Sequence, residues 1–563
     1  MILGIGVAMP QEKLKDILLR EKYVSSEDIR RAEDFAIKNL GSVEDYLLAK
    51  GLITKDLIGQ AIAESFSIPY ADLNANPPNH ELALKIPEEI AKKYRVVLFR
   101  EEPERVAIAT DTPNQNAMLP ELEKLFGKKK LVVMYSLPAD ITAIFSYYRK
   151  PLETRFSKII EKKARVAPEL LEEIFDDALA HHASDIHFEP RPKDVLVRFR
   201  VDGVLQEAGR IPKEHYENIL NRIKVQSDLR IDEHFATQDG SLRYEKENAT
   251  IHVRISIIPT IEGEKVVLRM LSAYVQGYAL NDLGLSTLHQ ELLRSAVGKP
   301  FGMILVTGPT GSGKTTTLYT LVRIINSSEI NITTIEDPVE YKTLGVNQIQ
   351  VNTATDLTFA KGLRSIVRQD PDVILIGEIR DNETADIAVN AALTGHLVFS
   401  TFHANDAATA LPRLLDMGIE PFLLASTLEI VVAQRLVRKI CNQCRHSVVK
   451  NISDFRSPQL RSASQFFKGN ITVYEGGKCE VCRYTGYRGQ TAIFEFIKIT
   501  DQMRNLILQS PSTAEIWKLA RTEGSRTLFE DGLEKVKMGV TTLDELIRVA
   551  PPPTIQHQQQ TTF

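Results

Sequence analysis

LKDILLREKYVSSEDIRRA (14–32) and VEDYLLAKGLITKDLIGQA (43–61) share one spacing of apolar positions at an offset of 29 residues. Leu18 and Leu19 match Leu47 and Leu48, Val24 matches Ile53, and Ile29 matches Ile58. Each copy predicts a helix, a short turn and a capped helix, with Ser25 and Thr54 as N-caps. Two copies are too few to stack as a solenoid, so they predict a small helical domain. From 70 to 148 the short apolar runs VVLF (96–99), VAIA (106–109) and LVVMY (131–135) alternate with helical spacing, which predicts a small α/β part. The basic stretch 151–168 then reads as a linker.

DVLVRFRVDG (194–203) alternates as a strand, with Val195, Val197, Phe199 and Val201 on one face and Arg198, Arg200 and Asp202 on the other. TIHVRIS (250–256) and VVLRM (266–270) repeat the pattern and put Arg254 and Arg269 on polar faces. These strands predict an α/β domain over 169–275 that presents arginines. Beyond it, MILVT (303–307), ITTIED (332–337), VILIGEI (373–379) and HLVFSTF (396–402) are apolar, β-branched runs separated by helical patterns. That predicts a doubly wound α/β domain with a parallel sheet over 276–550. The polar, proline-led tail 551–563 predicts disorder.

A length of 563 residues suits about four domains. Apolar residues at 43% and charged residues at 25% suit a soluble globular chain, and a net charge of −4 gives no global case for binding nucleic acid. No apolar run approaches the ~18 residues that span a bilayer. MILGIGVAMP (1–10) carries neither a basic leader nor a clear cleavage site, so a cytoplasmic protein is expected, with any membrane role through partners. The four cysteines, Cys441, Cys444, Cys479 and Cys482, form two C-x-x-C pairs flanking residues 445–478. In a cytoplasmic chain this predicts a tetrahedral Cys₄ zinc site within 438–490, structural because no coordination position is open.

GPTGSGKTT (308–316) stands between the strand MILVT and the helical segment LYTLVRIIN (318–326). Gly308 to Thr315 match G-x-x-x-x-G-K-[ST] in the required context, so Gly308, Pro309, Thr310, Gly311, Ser312, Gly313, Lys314, Thr315 and Thr316 form the expected ATP-phosphate cradle. Lys314 reaches the β- and γ-phosphates, and Thr315 holds Mg²⁺. Ligands bind at the carboxyl ends of parallel strands, and Glu336, Glu378 and His403 fall at such ends. Glu336 and Glu378 are candidates for water and metal, and His403 for sensing the γ-phosphate.

At this point the resemblance is specific. The chain resembles the secretion-ATPase superfamily, in particular the type II secretion ATPase (GspE) and the type IV pilus assembly ATPase (PilB). ASDIHFEP (183–190), VRFRVDGVL (197–205), TQDG (237–240), GPTGSGKTTTLY (308–319), TIEDPVEY (334–341) and LRSIVRQDPDVILIGEIRD (363–381) carry it. ALTGHLVFSTFHANDA (392–407), AQRLVRKIC (433–441), the double C-x-x-C and TGYRGQTAIFE (485–495) extend it. It covers roughly 170–550. It implies a RecA-like P-loop core, a preceding PAS-like α/β domain, and an MshEN-like region over 1–150 with the helical repeat at 10–66 and the α/β part at 67–150. It also implies a cytoplasmic ring, usually a hexamer, with arginines of the smaller domain reaching the phosphates. Arg198 and Arg200 fit that role, with Arg222, Arg254 and Arg269 as weaker candidates. Glu336 matches the water-activating glutamate, Glu378 the glutamate that arranges Mg²⁺, and His396 and His403 the histidine box.

The implied work is turning an inner-membrane platform protein, with a cytoplasmic docking partner, to add pilin or pseudopilin subunits to a filament. The cysteine knuckle favours assembly over retraction. Two departures matter. EHFATQDGS (233–241) lacks the arginines and proline usual before and after Q-D-G. The R-L-G repeats of cyclic di-GMP binders are incomplete: Lys13, Leu14 and Lys15 stand in the first copy, with Lys22 at a usual glycine, and Leu40, Gly41 and Gly51 in the second. Weak or absent dinucleotide binding is therefore expected. Two other functions use a P-loop: a nucleotide-gated binding module that hydrolyses nothing, and a DNA-uptake or DNA-translocating motor. Lys314, Thr315, Glu336 and Glu378 together argue against the first. The near-neutral composition gives the second no support.

Overall fold

The computed structural model describes residues 11–21, 23–39, 43–49, 52–115, 117–127, 129–148, 166–246, 249–271, 279–450, 463, 466, 471–477 and 479–552. Most of the expected linker, the junction near 275, the tail from 553, and Lys22, Leu40, Gly41 and Gly51 lie outside the described residues. The chain forms two compact units, one of residues 1–23 with 55–275 and the other of 24–54 with 276–563. Among the described residues no helix is long and apolar enough to cross a membrane.

The N-terminal echo folds as helices Gln11–Arg20, Ser26–Asn39, Val43–Ala49 and Lys55–Ser65. Ser25 caps the second of these, its Oγ accepting the Asp28 amide at 3.1 Å. The first and last helices pack together in one unit, whereas Phe35 and Tyr46 meet at 5.2 Å in the other. In the first unit β1 (Val96–Glu101), β2 (Arg105–Thr110) and β3 (Lys130–Tyr135) form a three-stranded sheet in that order. Val96, Leu98, Val106 and Ile108 bury its core against Leu122.

The same unit holds an antiparallel sheet of β4 (Asp185–Pro190), β5 (Asp194–Val201), β6 (Val204–Pro212), β7 (Gln238–Lys246), β8 (Ala249–Thr260) and β9 (Gly263–Leu271). Its order is β6-β5-β4-β9-β8-β7. Val195, Val197 and Phe199 pack on Ile174 and Phe175 of helix Val166–Ala180 and on Ile219 and Ile223 of helix Lys213–Gln226. The alternation read at 194–203 therefore turns its apolar face to helices and its arginines to the opposite face.

The second unit is built on β10 (Gly302–Thr307), β11 (Ile332–Glu336), β12 (Asn347–Gln350), β13 (Val373–Ile379), β14 (Leu397–Phe402), β15 (Leu428–Ile440) and, after the hairpin β16 (Arg445–Lys450) and β17 (Ile471–Gly476), β18 (Tyr487–Lys498). The order is β12-β11-β13-β14-β10-β15-β18. The sheet is parallel as expected except at its last strand, where β18 runs antiparallel to β15. Alternation along β10 serves both faces. Met303 and Leu305 pack with Ala388 and Leu411 on one side, and Ile304 and Val306 with Leu318 and Leu321 on the other.

The carboxyl-terminal part adds helices Asp501–Ile507, Thr513–Thr522, Leu528–Lys537 and Leu543–Val549, each opened by a Ser or Thr whose hydroxyl accepts the N3 amide. The last is bound to β15 by Glu545, which accepts from Arg438 at 2.8 Å and Arg548 at 2.7 Å. Burial alone would push the Glu545 carboxyl up, but hydrogen bonds from Arg548 and Arg438 hold it at about 2. A lowered carboxyl stabilises the fold above its ordinary value and loses that contribution as pH falls from about 4.5 toward 2. Glu545→Gln, which strands Arg438, is expected to cost about 3 kcal/mol at neutral pH. Its thermal midpoint should also fall less between pH 5 and pH 3 than that of the unaltered chain. Equal pH slopes would exclude the pairing as the cause.

Candidate active site

β10 feeds directly into the glycine loop, and helix Lys314–Ile325 begins inside it. Gly308, Gly311 and Gly313 take φ of +146°, +76° and +85°, which glycine adopts without penalty. Two of them also have no room for a side chain. A Cβ on Gly308 would lie 2.5 Å from the Gln434 carbonyl oxygen, and one on Gly313 2.7 Å from Gln434 Nε2. Gln434 is itself fixed, its Oε1 accepting the Thr317 hydroxyl at 2.7 Å. The loop thus rests on β15, with Pro309, Thr310 and Gly311 exposed at its crest and Thr315 and Thr316 half-buried in the first helical turn.

Lys314 folds back on the loop and donates to the carbonyls of Gly308 at 2.9 Å and Pro309 at 3.0 Å. Burial lowers its ammonium below the ordinary lysine value, Glu378 opposes this, and Arg435 adds to it. Ser312 Oγ and Thr307 Oγ1 are buried without a hydrogen-bond partner. A buried cation held only by carbonyls, beside unsatisfied hydroxyls and a helix start, fits a phosphate group.

Three neighbouring strands bring the remaining candidates to the same sheet edge. Glu336 ends β11 and is 3% exposed. It accepts from Thr334 Oγ1 at 2.6 Å, from Gln348 Nε2 at 3.4 Å and from the Tyr319 hydroxyl. Burial raises its carboxyl above the ordinary range, with the three donors opposing. Glu378 sits where the β13–β14 register shifts between Ile376 and Ile379, a bulge that re-aims its side chain. Gly377 lets β13 approach β11 there, since a Cβ would lie 3.2 Å from Glu336 Cα. Glu378 accepts from His403 Nε2 at 2.9 Å and pairs with Arg380. Burial pushes its carboxyl up, but these two partners outweigh it and hold it below the usual carboxylate range. Arg380 also lies 3.7 Å from Asp337, linking the two acidic strand ends.

His403 is exposed just past β14, whereas His396 precedes that strand, at the opposite end of the sheet from the glycine loop, with its Nδ1 2.8 Å from the Ala391 carbonyl. In the other unit, Arg200, Asp185, Arg269 and Arg254 stand opposite one another across β5, β4, β9 and β8. Asp185 accepts Arg200 Nε at 3.3 Å and Arg269 Nε at 2.9 Å. Arg198 is paired with Glu189 at 2.6 Å, and Arg222 is exposed on helix Lys213–Gln226.

Sequence reasoning missed Tyr319, Gln348, Arg380 and Gln434 as parts of this site. Arg380 stands two residues after Glu378, and Tyr319 and Gln434 stand in the quoted GPTGSGKTTTLY and AQRLVRKIC, so all three were within reach. Gln348 carries no local signal.

At the far end of β15, Cys441, Cys444, Cys479 and Cys482 converge with all four Sγ atoms within 4.8 Å of one another. Cys441–Cys479, Cys444–Cys482 and Cys479–Cys482 are each separated by 3.8 Å. Four sulfurs at ~2.3 Å from a tetrahedral zinc lie ~3.8 Å apart, so the donor set fits that metal.

The type II/IV secretion system protein family matches residues 160–548, and the MshEN domain matches residues 66–155, beginning after the helical repeat. The type IV pilus assembly ATPase PilB of Myxococcus xanthus (strain DK1622) is 36% identical over 562 residues, which are 96% of this chain and 99% of that protein. Type II secretion system protein E of Dickeya dadantii (strain 3937) is 41% identical over 505 residues, which are 85% of this chain and 99% of that one. The PilB of Thermus thermophilus is 37% identical over 525 residues, 90% of this chain, and the chain spans 59% of that relative's length. Among solved structures, the Legionella pneumophila ATPase DotB shares the fold, with TM-score 0.50 and 20% identity over 68% of this chain and 95% of that one. A match over residues 160–548, with relatives 36–41% identical along most of the sequence, establishes that the chain belongs to the type II/IV secretion system protein family and is an ATPase.

Proposed function

We propose that this ATPase is a ring-forming motor that drives assembly of a type IV pilus or a type II secretion pseudopilus from the cytoplasmic side of the inner membrane. The observation that carries the reading is the convergence of the glycine loop, Glu336, Glu378 and His403 on one sheet edge. The loop amides and Lys314 bind the triphosphate. Thr315 and Glu378 would hold Mg²⁺, which supplies charge neutralisation on the phosphates when bound. Glu336, raised by burial, orients the attacking water and takes its proton, a role suited to a carboxylate shifted toward neutrality. His403 holds Glu378 in place and reads the γ-phosphate. Arg198 and Arg200 deliver positive charge from the smaller domain, with Arg222, Arg254 and Arg269 as second candidates.

The pilus-assembly and secretion relatives support this reading over a DNA-translocating motor, and no direct nucleic-acid contact is expected. The cysteine cluster supports bound zinc and filament extension. The partners are further copies of this chain in a hexamer, an inner-membrane platform protein and its cytoplasmic docking partner, through which the motor attaches peripherally. The incomplete R-L-G pattern supports weak or absent cyclic di-GMP binding.

If active sites are completed between subunits, specific ATPase activity of the zinc-loaded chain rises with protein concentration and then levels off. Activity per chain that stays flat from the most dilute sample upward would remove the ring from this account.

A further inference from the structure

Glu495 of β18 is buried and stands outside the hydrolytic set. Its Oε1 accepts the Ala407 amide at 2.8 Å, and its Oε2 accepts the Leu528 amide at 3.4 Å. These are the first residues of helices Ala407–Asp416 and Leu528–Lys537. Each helix already has its own cap, Asp406 on the Thr409 amide and Thr527 on the Glu530 amide. One carboxyl group therefore takes the leading N–H of both helices at once.

The first helix follows directly from the nucleotide edge. His403 bonds Glu378, and only three residues separate it from Ala407. That short segment is held at both ends, by Arg413 on the His403 carbonyl and by Arg435 on the Asn405 carbonyl at 2.9 Å. The second helix leads the other way. Its Asp531 accepts the Phe494 amide of β18 at 3.0 Å, and the helix packs on the terminal helix Leu543–Val549.

An apolar side chain at this position would leave both amides buried without an acceptor, so a carboxyl is held here in spite of the cost of dehydrating it. That cost is real, since burial pushes the group up to about 8 despite two amide donors. We propose that Glu495 is a positioning residue that couples the His403 segment of the nucleotide site to the carboxyl-terminal helices. The proposal rests on the nucleotide site proposed above and adds where the nucleotide state is sent.

The test is hydrogen exchange of the full, zinc-loaded chain with and without ADP, beside Glu495→Gln. Glutamine keeps the volume but has one accepting oxygen, so it cannot hold both amides. In the unaltered chain, ADP is expected to slow exchange in the glycine loop and also in the first turn of helix Leu528–Lys537. In the variant the loop response persists and the helix response is lost, while kcat falls about tenfold with KM unchanged, as for one broken coupling contact. A loop response without any helix response in the unaltered chain overturns the proposal, and that comparison needs no variant to fold. A variant that retains the helix response overturns it equally. No response in the loop itself would overturn the nucleotide site proposed above, and the proposal with it.

Discussion

Glu336→Gln leaves nucleotide binding within a few-fold of the unaltered chain and lowers kcat by about 10³-fold, the size of effect expected for a positioned general base. The substitution is close to isosteric, and Thr334 and Gln348, which share one carboxylate oxygen, can still donate to the amide oxygen. What disappears is the basic oxygen that takes a proton from water. The Tyr319 hydroxyl, which donates to the other oxygen, would then face the amide nitrogen and turn to accept from it, a small rearrangement in a buried pocket. The measurement is single-turnover hydrolysis at saturating protein together with nucleotide affinity. A variant that retains a tenth of the rate would move the base elsewhere, with Glu378 as the first candidate. A variant that loses affinity and rate together would make Glu336 a structural support of the loop.

Loss of the cysteine cluster is the other large effect. The unaltered chain should carry about one zinc per chain, and Cys441→Ser with Cys444→Ser about none. Structural zinc contributes ~10 kcal/mol or more to small domains that fold around it. Here the surrounding residues have further support: Glu545 grips Arg438, and the guanidinium of Arg438 lies 4.0 Å over the Tyr487 ring. Protease cleavage near the β16–β17 hairpin should therefore appear first, with the nucleotide sheet unfolding at a higher temperature. Stoichiometric labelling of all four thiols in the folded, untreated chain would show that no metal is held there.

The glycine loop was legible because its chemistry is local: three glycines with positive φ, a lysine and a helix start all fall within one short stretch. The acidic strand ends were legible for a related reason, since apolar β-branched runs announce strands and each run stops at a charged residue. The partners of those acids were not. Tyr319 reaches Glu336 from a helix and Gln348 from an edge strand, and only the folded sheet brings the three together. The antiparallel β18 escaped for the same reason, because its direction depends on where the cysteine hairpin returns the chain. His396 and His403 look equivalent in sequence, yet a six-residue strand carries them to opposite ends of the sheet.

β15 is longer than the sheet it belongs to. It pairs with β10 only as far as Ala433, then continues with β18 alone to Ile440, beside the cysteine cluster. The last seven residues, 434–440, project about 23 Å as a two-stranded ribbon, a form that twists more readily than a full sheet. Mechanically this is a braced strut, held at Gln434 by the glycine loop, at Arg438 by Glu545 and at its tip by the knot of thiols. A single glycine in the middle of the ribbon would soften that strut and loosen the tie between the glycine loop and the thiols.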